Sequence, residues 1–217
     1  MTYDLLVISD LHGKTAMIDR LARTVAPPDM LIVCGDLTHF GDASAAAEIV
    51  AALGEICPAI QAVPGNCDPP GAAGYLEQQK ICLHGRQVQH SGLCVTGVGY
   101  SLPCPAPTPG EMSEAAFSDH LATCCSDLPL ILITHQPPYG TCADRLPHNQ
   151  HVGSHALRRF IEQYQPLLCC CGHIHEGIGI DTIGNTTIVN PGPLQNGHYC
   201  RIAIADGRPD VTLARLE

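Results

Sequence analysis

Residues 5–13 read LLVISDLHG, an apolar run followed by an acid, an imidazole and a glycine. Residues 5–9 predict a short buried strand, because the run is brief, apolar and bounded by turn-forming residues. Apolar residues then recur at roughly helical spacing in residues 14–25. The opening therefore predicts a strand, a loop that carries Asp10 and His12, and a helix.

The same unit recurs twice downstream. Met30–Cys34 and residues 59–63 are further strand candidates, each followed by a turn with a polar side chain. The Ala-rich segment 43–53 between them predicts a helix, with Asp42 or Ser44 as its cap. Strands that alternate with helices at this interval predict βαβ units and a sheet that is at least partly parallel.

The rest of the chain is richer in strands. Two Gly- and Pro-containing loops interrupt it, residues 102–110 and 136–152, and a loop as long as the second is usually functional. No linker, low-complexity run or charge block divides the chain, so we predict a single domain over residues 1–217. Helices are predicted at 111–125 and 154–164, and strands at 81–83, 87–90, 93–98, 130–134, 166–171, 177–181, 186–189, 198–205 and 210–214.

Composition excludes several classes of protein. At 45% hydrophobic residues the chain can bury a core, and a formal charge of −10 argues against binding a long nucleic acid. We expect no membrane association and a cytoplasmic location, because no signal peptide or apolar span is recognisable. The 13 Cys contain no C-x-x-C pair, so we expect reduced, mostly buried thiols and no zinc ribbon.

Metal-competent side chains follow strand after strand. In open α/β sheets, ligands bind at the carboxyl ends of the strands, so these side chains are expected to converge there. Carboxylate, amide and imidazole ligands together suit Mn, Fe, Zn, Co or Ni, and two centres fit if one carboxylate bridges them. The predicted ligands are Asp10, His12, Asp36, Asn66, His135, His173 and His175.

Five short motifs carry these side chains: D-L-H at 10–12, G-D at 35–36, G-N-C-D at 65–68, T-H at 134–135 and G-H-I-H at 172–175. They span most of the chain, are specific in combination and resemble the signature of the calcineurin-like metallophosphoesterases. The resemblance is greatest to the small prokaryotic phosphoesterases, which include predicted relatives of cyclic-nucleotide phosphodiesterases, and N-P-G at 190–192 is also found in smaller members.

The resemblance implies an α/β fold, a four-layer α/β/β/α sandwich with mixed sheets. It implies two divalent transition-metal ions, one on Asp10, His12 and His175, the other on Asn66, His135 and His173. Asp36 would bridge them, and a shared hydroxide would attack a small phosphoester, with a nucleotide-like diester as one candidate. Two such ions outweigh the two carboxylates and the hydroxide, so an acidic protein would present a positive site to phosphate.

Cys67 departs from the family pattern, in which His often follows the Asn. A thiol is a weaker donor than an imidazole, with an ordinary pKa of about 8.5 against 6.5, so acid assistance to the leaving group is expected to be weaker. Filling space beside the metals is an equal alternative for Cys67. We predict His151 as a substitute donor and Asp68 as a residue that orients a ligand, and count both, with Asn66 and Cys67, as catalytic candidates.

Other functions stay open from the sequence. The family resemblance includes a coat-complex subunit whose site has decayed, so a non-catalytic scaffold or binding protein is the main alternative. All seven ligand positions are filled here, which favours the enzyme. The residues do not reveal the substrate, the native metal or the oligomeric state.

Overall fold

The computed structural model describes residues 2–217. The helices are α1 (Thr15–Thr24), α2 (Ala43–Gly54), α3 (Pro70–Gln78), α4 (Glu114–Leu121) and α5 (His155–Tyr164). The strands are β1 (Tyr3–Ile8), β2 (Met30–Cys34), β3 (Ile60–Val63), β4 (Gln87–His90), β5 (Leu93–Val98), β6 (Leu130–Thr134), β7 (Leu168–Cys170), β8 (Gly179–Ile183), β9 (Thr186–Asn190), β10 (His198–Ala205) and β11 (Arg208–Arg215).

The strands form two mixed sheets. The first has the order β11-β10-β1-β2-β3, with β1, β2 and β3 parallel and β10 antiparallel to β1. The second has the order β4-β5-β6-β7-β9-β8, in which β5, β6, β7 and β9 are parallel. The carboxyl ends of β1, β2 and β3 therefore meet at one edge, as do those of β6 and β7 in the opposite sheet.

Alternating side chains on the strands build the layers. In β1, Leu5 and Val7 pack into the core between the two sheets, while Leu6 and Ile8 pack on the other side with α1 and α2. On the far side of the second sheet, a third cluster joins its strands to α4 and α5, around Phe117. The predicted four-layer α/β/β/α sandwich with mixed sheets is confirmed.

Three local predictions differ from the structure. Helix α3 was not predicted, because Pro69-Pro70 resembles a turn, yet proline fits the first helical turn, where its missing N–H needs no partner. Residues 81–83 form no strand and make one isolated bridge, between Cys82 and Ala62. The helix predicted at 111–125 begins at Glu114, with Ser113 as its cap, and α4 is followed by a 3-10 turn at Ala122–Cys124. Among residues 2–217, no helix combines the length and apolar character that a bilayer span requires.

Candidate metal centre

The site is built where neighbouring strands end. The amide of Asp10, after β1, donates to Gly35 O at 3.0 Å, and the amide of His12 donates to Asp36 O at 3.0 Å. These bonds hold the loop after β1 against the loop after β2. The chain thereby places two buried carboxylates, 1% and 3% exposed, side by side.

Four of the predicted ligands have left-handed backbone conformations. The φ values are 54° for Asp10, 47° for His12, 52° for Asp36 and 69° for His173. An L-residue in this region costs roughly 1–2 kcal/mol, so the surrounding structure must enforce it. Strained residues of this kind cluster at functional sites, and their concentration here supports such a role.

Asp10, His12 and His175 meet at one end of the cluster. Oδ1 of Asp10 lies 3.3 Å from Nε2 of His175 and 3.9 Å from Nε2 of His12. The two imidazole Nε2 atoms are 3.4 Å apart. One potential ligand atom from each residue lies within 4.8 Å of the others, which is a spacing that can hold a metal ion.

Asp36 stands between this group and the second one. Its Oδ2 is 3.6 Å from Nε2 of His12, and its Oδ1 is 3.5 Å from Nε2 of His135. Nε2 of His135 is also 2.9 Å from Oδ1 of Asn66. The carboxylate therefore faces both groups, as a bridging ligand would.

His173 closes the second group. Its ring centroid lies 5.0 Å from that of His135, and its backbone N–H donates to Oδ2 of Asp10 at 3.2 Å. Sγ of Cys104 lies 3.9 Å from Nε2 of His173. The structure thus brings all seven predicted ligands together.

The residues fit divalent cations by two independent observations. Oδ1 of Asp10, which faces His12 and His175, is buried without a hydrogen-bond partner, and a buried unpaired acceptor is costly. Potential ligand atoms of Asp10, Asp36 and His135 also lie within 4.8 Å of one another, as do those of Asp10, His12 and His175. Mixed oxygen and nitrogen donors of this kind suit first-row transition metals.

The protonation of His135 depends on its neighbours. Burial lowers the pKa of His135, but the adjacent Asp36 carboxylate outweighs burial and raises the pKa to about 9. The same contact holds the pKa of the Asp36 carboxyl well below its usual range, against the effect of burial. Burial lowers the pKa of His173 to about 4.

The metal-free protein is therefore expected to be most stable near pH 6.5. A raised pKa for His135 contributes stability that is complete below about pH 6.5 and is lost as the pH rises towards 9. The lowered pKa of His173 removes stability as the pH falls from about 6.5 towards 4. The free energy of unfolding in urea, measured on chelator-treated protein between pH 4 and 9, reports the loss of stability on both sides of pH 6.5. His135→Gln should weaken the alkaline decline, and the raised pKa of His175 beside Asp10 accounts for part of what is left. A stability that rises between pH 6.5 and 9 would contradict the assignment.

Asp68 ties together the two loops that carry Asp36 and Asn66. Its Oδ1 accepts the amide and the hydroxyl of Thr38, both at 2.8 Å, and its Oδ2 accepts the amides of Leu37 at 3.1 Å and Gly65 at 2.8 Å. Burial and the nearby Asp36 charge raise its pKa to about 6, and the bonds from Gly65 and Thr38 oppose this. Asp68 thus orients the chain beside Asp36 and Asn66, and its carboxylate is occupied by these donors.

Cys67 lies beside the bridging position. Its backbone N–H donates to Oδ1 of Asp36 at 2.7 Å, and Nδ2 of Asn66 lies 3.6 Å from its sulfur. The side chain is 8% exposed, and burial together with the Asp36 charge raises the pKa of the thiol. The thiol is therefore neutral and a weak hydrogen-bond donor.

His151 lies in a separate arrangement within the long loop. Its Nδ1 is 2.7 Å from Oδ1 of Asp144, a fully buried carboxylate that also accepts the amides of Gly140, Thr141 and Gly153. None of the hydrogen bonds, ion pairs or ring contacts of residues 2–217 joins His151 to the seven ligands. Asp144 holds the loop in this form, so His151 is the one predicted site residue that the structure does not bring to the cluster.

Several residues of the site escaped prediction. Oγ1 of Thr108 accepts from Nδ2 of Asn66 at 3.2 Å, which turns Oδ1 of Asn66 towards His135. Lys14 and Gln195 line an open cavity of about 400 Å³ beside His12. Nothing in their sequence neighbourhoods marks them, since none belongs to a motif and their positions follow from loop geometry.

A larger cavity, about 720 Å³, opens at the opposite ends of the parallel strands, near Tyr3.

The fold and the donor set define a metal-binding α/β sandwich. Residues 3–177 match the family model described as calcineurin-like phosphoesterase, so the chain belongs to that family. Members of the family depend on metals, usually two divalent ions, and act on phosphoesters. The candidate ligand clusters seen here agree with that requirement.

Two relatives illustrate the range of similarity. The chain is 38% identical to the uncharacterized protein MJ1162 of Methanocaldococcus jannaschii over 191 residues, and this match covers 86% of each chain. It is 47% identical over 62 residues to metallophosphoesterase domain-containing protein 1 of Homo sapiens, a match to 28% of this chain and 19% of the human protein.

Solved structures share the fold. The protein TT1561 of Thermus thermophilus superposes with a TM-score of 0.77 at 20% identity, over 100% of both chains. Purple acid phosphatase PPD1 of yellow lupin (Lupinus luteus) gives a TM-score of 0.61 at 12% identity, over 99% of this chain and 52% of that one. At such identities the likeness extends to the fold alone.

Proposed function

We propose that this chain is a phosphodiesterase that requires two divalent transition-metal ions and hydrolyses a small phosphoester. The observation that carries the proposal is the convergence of seven metal-competent side chains where strands of the two sheets end, with a buried Asp10 oxygen left without a hydrogen bond. Membership of a metallophosphoesterase family supplies the reaction class. The non-catalytic scaffold is the alternative that the experiment below must exclude.

Two groups of residues would hold the ions. Asp10, His12 and His175 would hold one, and Asn66, His135 and His173 the other, with Asp36 facing both. When bound, such a pair of ions lowers the pKa of coordinated water and neutralises charge on the phosphoryl oxygens.

The chain's own residues fix the geometry of this centre. Nδ1–H of His135 donates to the carbonyl of Cys34 at 2.7 Å, which orients the ring and directs Nε2 into the site. The Cys67 amide holds one oxygen of Asp36, and Thr108 holds the amide group of Asn66. These three ligands are thereby oriented before any ion or substrate arrives, which reduces the cost of reorganisation.

The surroundings favour a small diester over a polynucleotide or a monoester. A net charge of −10 provides no basic face for a long nucleic acid. The cavity beside His12 and His175 is lined by one lysine, Lys14, and no arginine. A diester carries less negative charge than a monoester and needs fewer cationic side chains.

A comparison of substrates tests the proposal. Chain loaded with Mn, Ni or Zn is assayed with a bis-aryl phosphate, an aryl monophosphate and cyclic AMP, with the chelator-treated chain as the control. We expect metal-dependent hydrolysis, faster for a diester than for the monoester. Preference for the monoester would refute the diester assignment, and no hydrolysis with any metal would favour the scaffold.

Cys67→His is expected to raise turnover of alkyl phosphodiesters more than that of aryl ones. An imidazole is a better donor than a neutral thiol, and a poor leaving group benefits most from that donor, since general acid assistance is worth roughly 10²–10⁴-fold. The ratio of kcat/KM for an alkyl and an aryl diester measures the effect. Equal changes for both substrates would indicate that residue 67 only fills space.

A further inference from the structure

Three of the residues that line the cavity beside the candidate metal centre are not predicted ligands, and they form one wall of the cavity. Of its five lining residues, His12 and His175 are predicted ligands, and the others are Lys14, His39 and Gln195. The volume is about 400 Å³, and the side chains of Lys14 and His39 are exposed. A substrate that reaches the ligands through this cavity must pass these groups.

His39 lies close to Cys67 and His12. One ring nitrogen of His39, Sγ of Cys67 and one ring nitrogen of His12 all lie within 4.8 Å of one another. The ring of His39 meets the ring of His12 edge-on, with centroids 5.6 Å apart. An imidazole keeps at least one N–H donor in either protonation state, whereas the buried thiol of Cys67 is a weak donor.

The backbone and a neighbouring ring hold His39 in this place. The amide of Phe40 donates to the carbonyl of Cys67 at 3.0 Å, which fastens the loop after β2 to the loop after β3. Phe40 has φ of 60° and its ring lies against His39 at a centroid distance of 4.7 Å. Phe40 is 51% exposed, so this conformation leaves an apolar surface open beside the imidazole.

Lys14 supplies the charge on the same wall. The chain contains two lysines, and the other, Lys80, follows α3. Lys14 immediately precedes α1, whose first turn has no side-chain cap. Because the net charge of the protein is −10, a lysine beside the ligand cluster gives this wall a local positive charge that the rest of the protein lacks overall.

We propose that His39 and Lys14 bind the non-bridging oxygens of the phosphodiester substrate. His39 donates the hydrogen bond that Cys67 supplies only weakly, and Lys14 attracts the anion into the cavity. The inference rests on the proposed function, because it names contacts of the substrate in that same site.

The test uses the full chain loaded with Mn and two kinds of variant. His39→Ala, His39→Gln and Lys14→Ala are compared with two controls, Lys80→Ala and His148→Ala, which remove an exposed lysine and an exposed imidazole elsewhere. Four quantities are measured for each protein: KM and kcat for a bis-aryl phosphate, the Kd of inorganic phosphate by calorimetry, and the bound Mn per chain.

We expect His39→Ala and Lys14→Ala to raise KM and the phosphate Kd by about tenfold, since hydrogen bonds to charged groups are among the stronger ones. His39→Gln should recover part of the loss, because Gln retains an N–H donor. Bound Mn should stay at the wild-type value, and both controls should stay within about twofold of the wild type, as expected for surface substitutions.

Two results would overturn the inference. One is an unchanged KM and phosphate Kd in His39→Ala and Lys14→Ala, and the other is a loss of Mn from His39→Ala, which would make His39 a metal ligand. Failure of the proposed function has a different signature, since the wild type itself would then hydrolyse no phosphoester. The phosphate Kd would still decide the role of the wall in that case.

Discussion

Asp36→Asn is expected to lower kcat for a bis-aryl phosphate by roughly 10³-fold, because Lewis-acid stabilisation by a bound ion is worth several kcal/mol. The carboxylate of Asp36 faces both ligand groups, with oxygens 3.6 Å from Nε2 of His12 and 3.5 Å from Nε2 of His135. An amide offers one neutral oxygen in place of two charged ones. The variant should therefore retain fewer ions as well as less activity.

Asp19→Asn is the matched control, because it makes the same chemical change at an exposed position of α1. Its activity and its metal content should equal those of the wild type. Steady-state kinetics and elemental analysis on the same preparations give both quantities. Asp36→Asn protein that keeps full turnover would refute the bridging role.

Gly65→Ala should lower turnover by at least about 10²-fold, in line with the sensitivity of catalysis to misplacements near 1 Å. A Cβ at residue 65 would collide with the carboxylate and the backbone nitrogen of Asp36. The collision involves backbone, so either Asp36 or the Asn66 loop must move. Forcing a methyl group into a packed site also costs about 1–3 kcal/mol of unfolding free energy.

Gly74→Ala provides the comparison for this variant. Gly74 lies in α3, and a Cβ there meets nothing within 4 Å. Because alanine is the better helix former, this change should leave activity intact and stabilise the chain by up to about 1 kcal/mol. Urea unfolding and kcat on both variants measure the contrast, and equal behaviour of the two would show that the close approach of Gly65 to Asp36 has no functional consequence.

The architecture could be predicted from the sequence because two simple regularities act together. Apolar runs such as Met30–Cys34 mark buried strands, and parallel strands place the residues that follow them at a common edge. Asp10 and Asp36 therefore had to approach one another once β1 and β2 were neighbours. The pairing of the strands brings motifs that are far apart in the sequence together in space.

The sequence pattern does not predict how the loops are folded, and loop conformation places several residues of the site. His39 and Lys14 line the cavity and lie next to residues with left-handed conformations, Phe40 and Gly13, and such turns leave no periodic pattern. The place of His151 near a helix start predicts a donor, but Asp144 binds its ring. The place of Asp68 beside Asn66 predicts an orienting residue, and its carboxylate accepts the amides of Leu37, Thr38 and Gly65.

The number of ions that the chain holds tests the account most directly. Purified wild-type protein, incubated with Mn and dialysed, is analysed for bound metal, and the same sample is assayed for hydrolysis of a bis-aryl phosphate as ions are withdrawn by a chelator. We predict two ions per chain, with hydrolysis lost on their removal and restored on their return. Fewer than one ion per chain, with no hydrolysis after addition of Mn or Ni, would contradict the account.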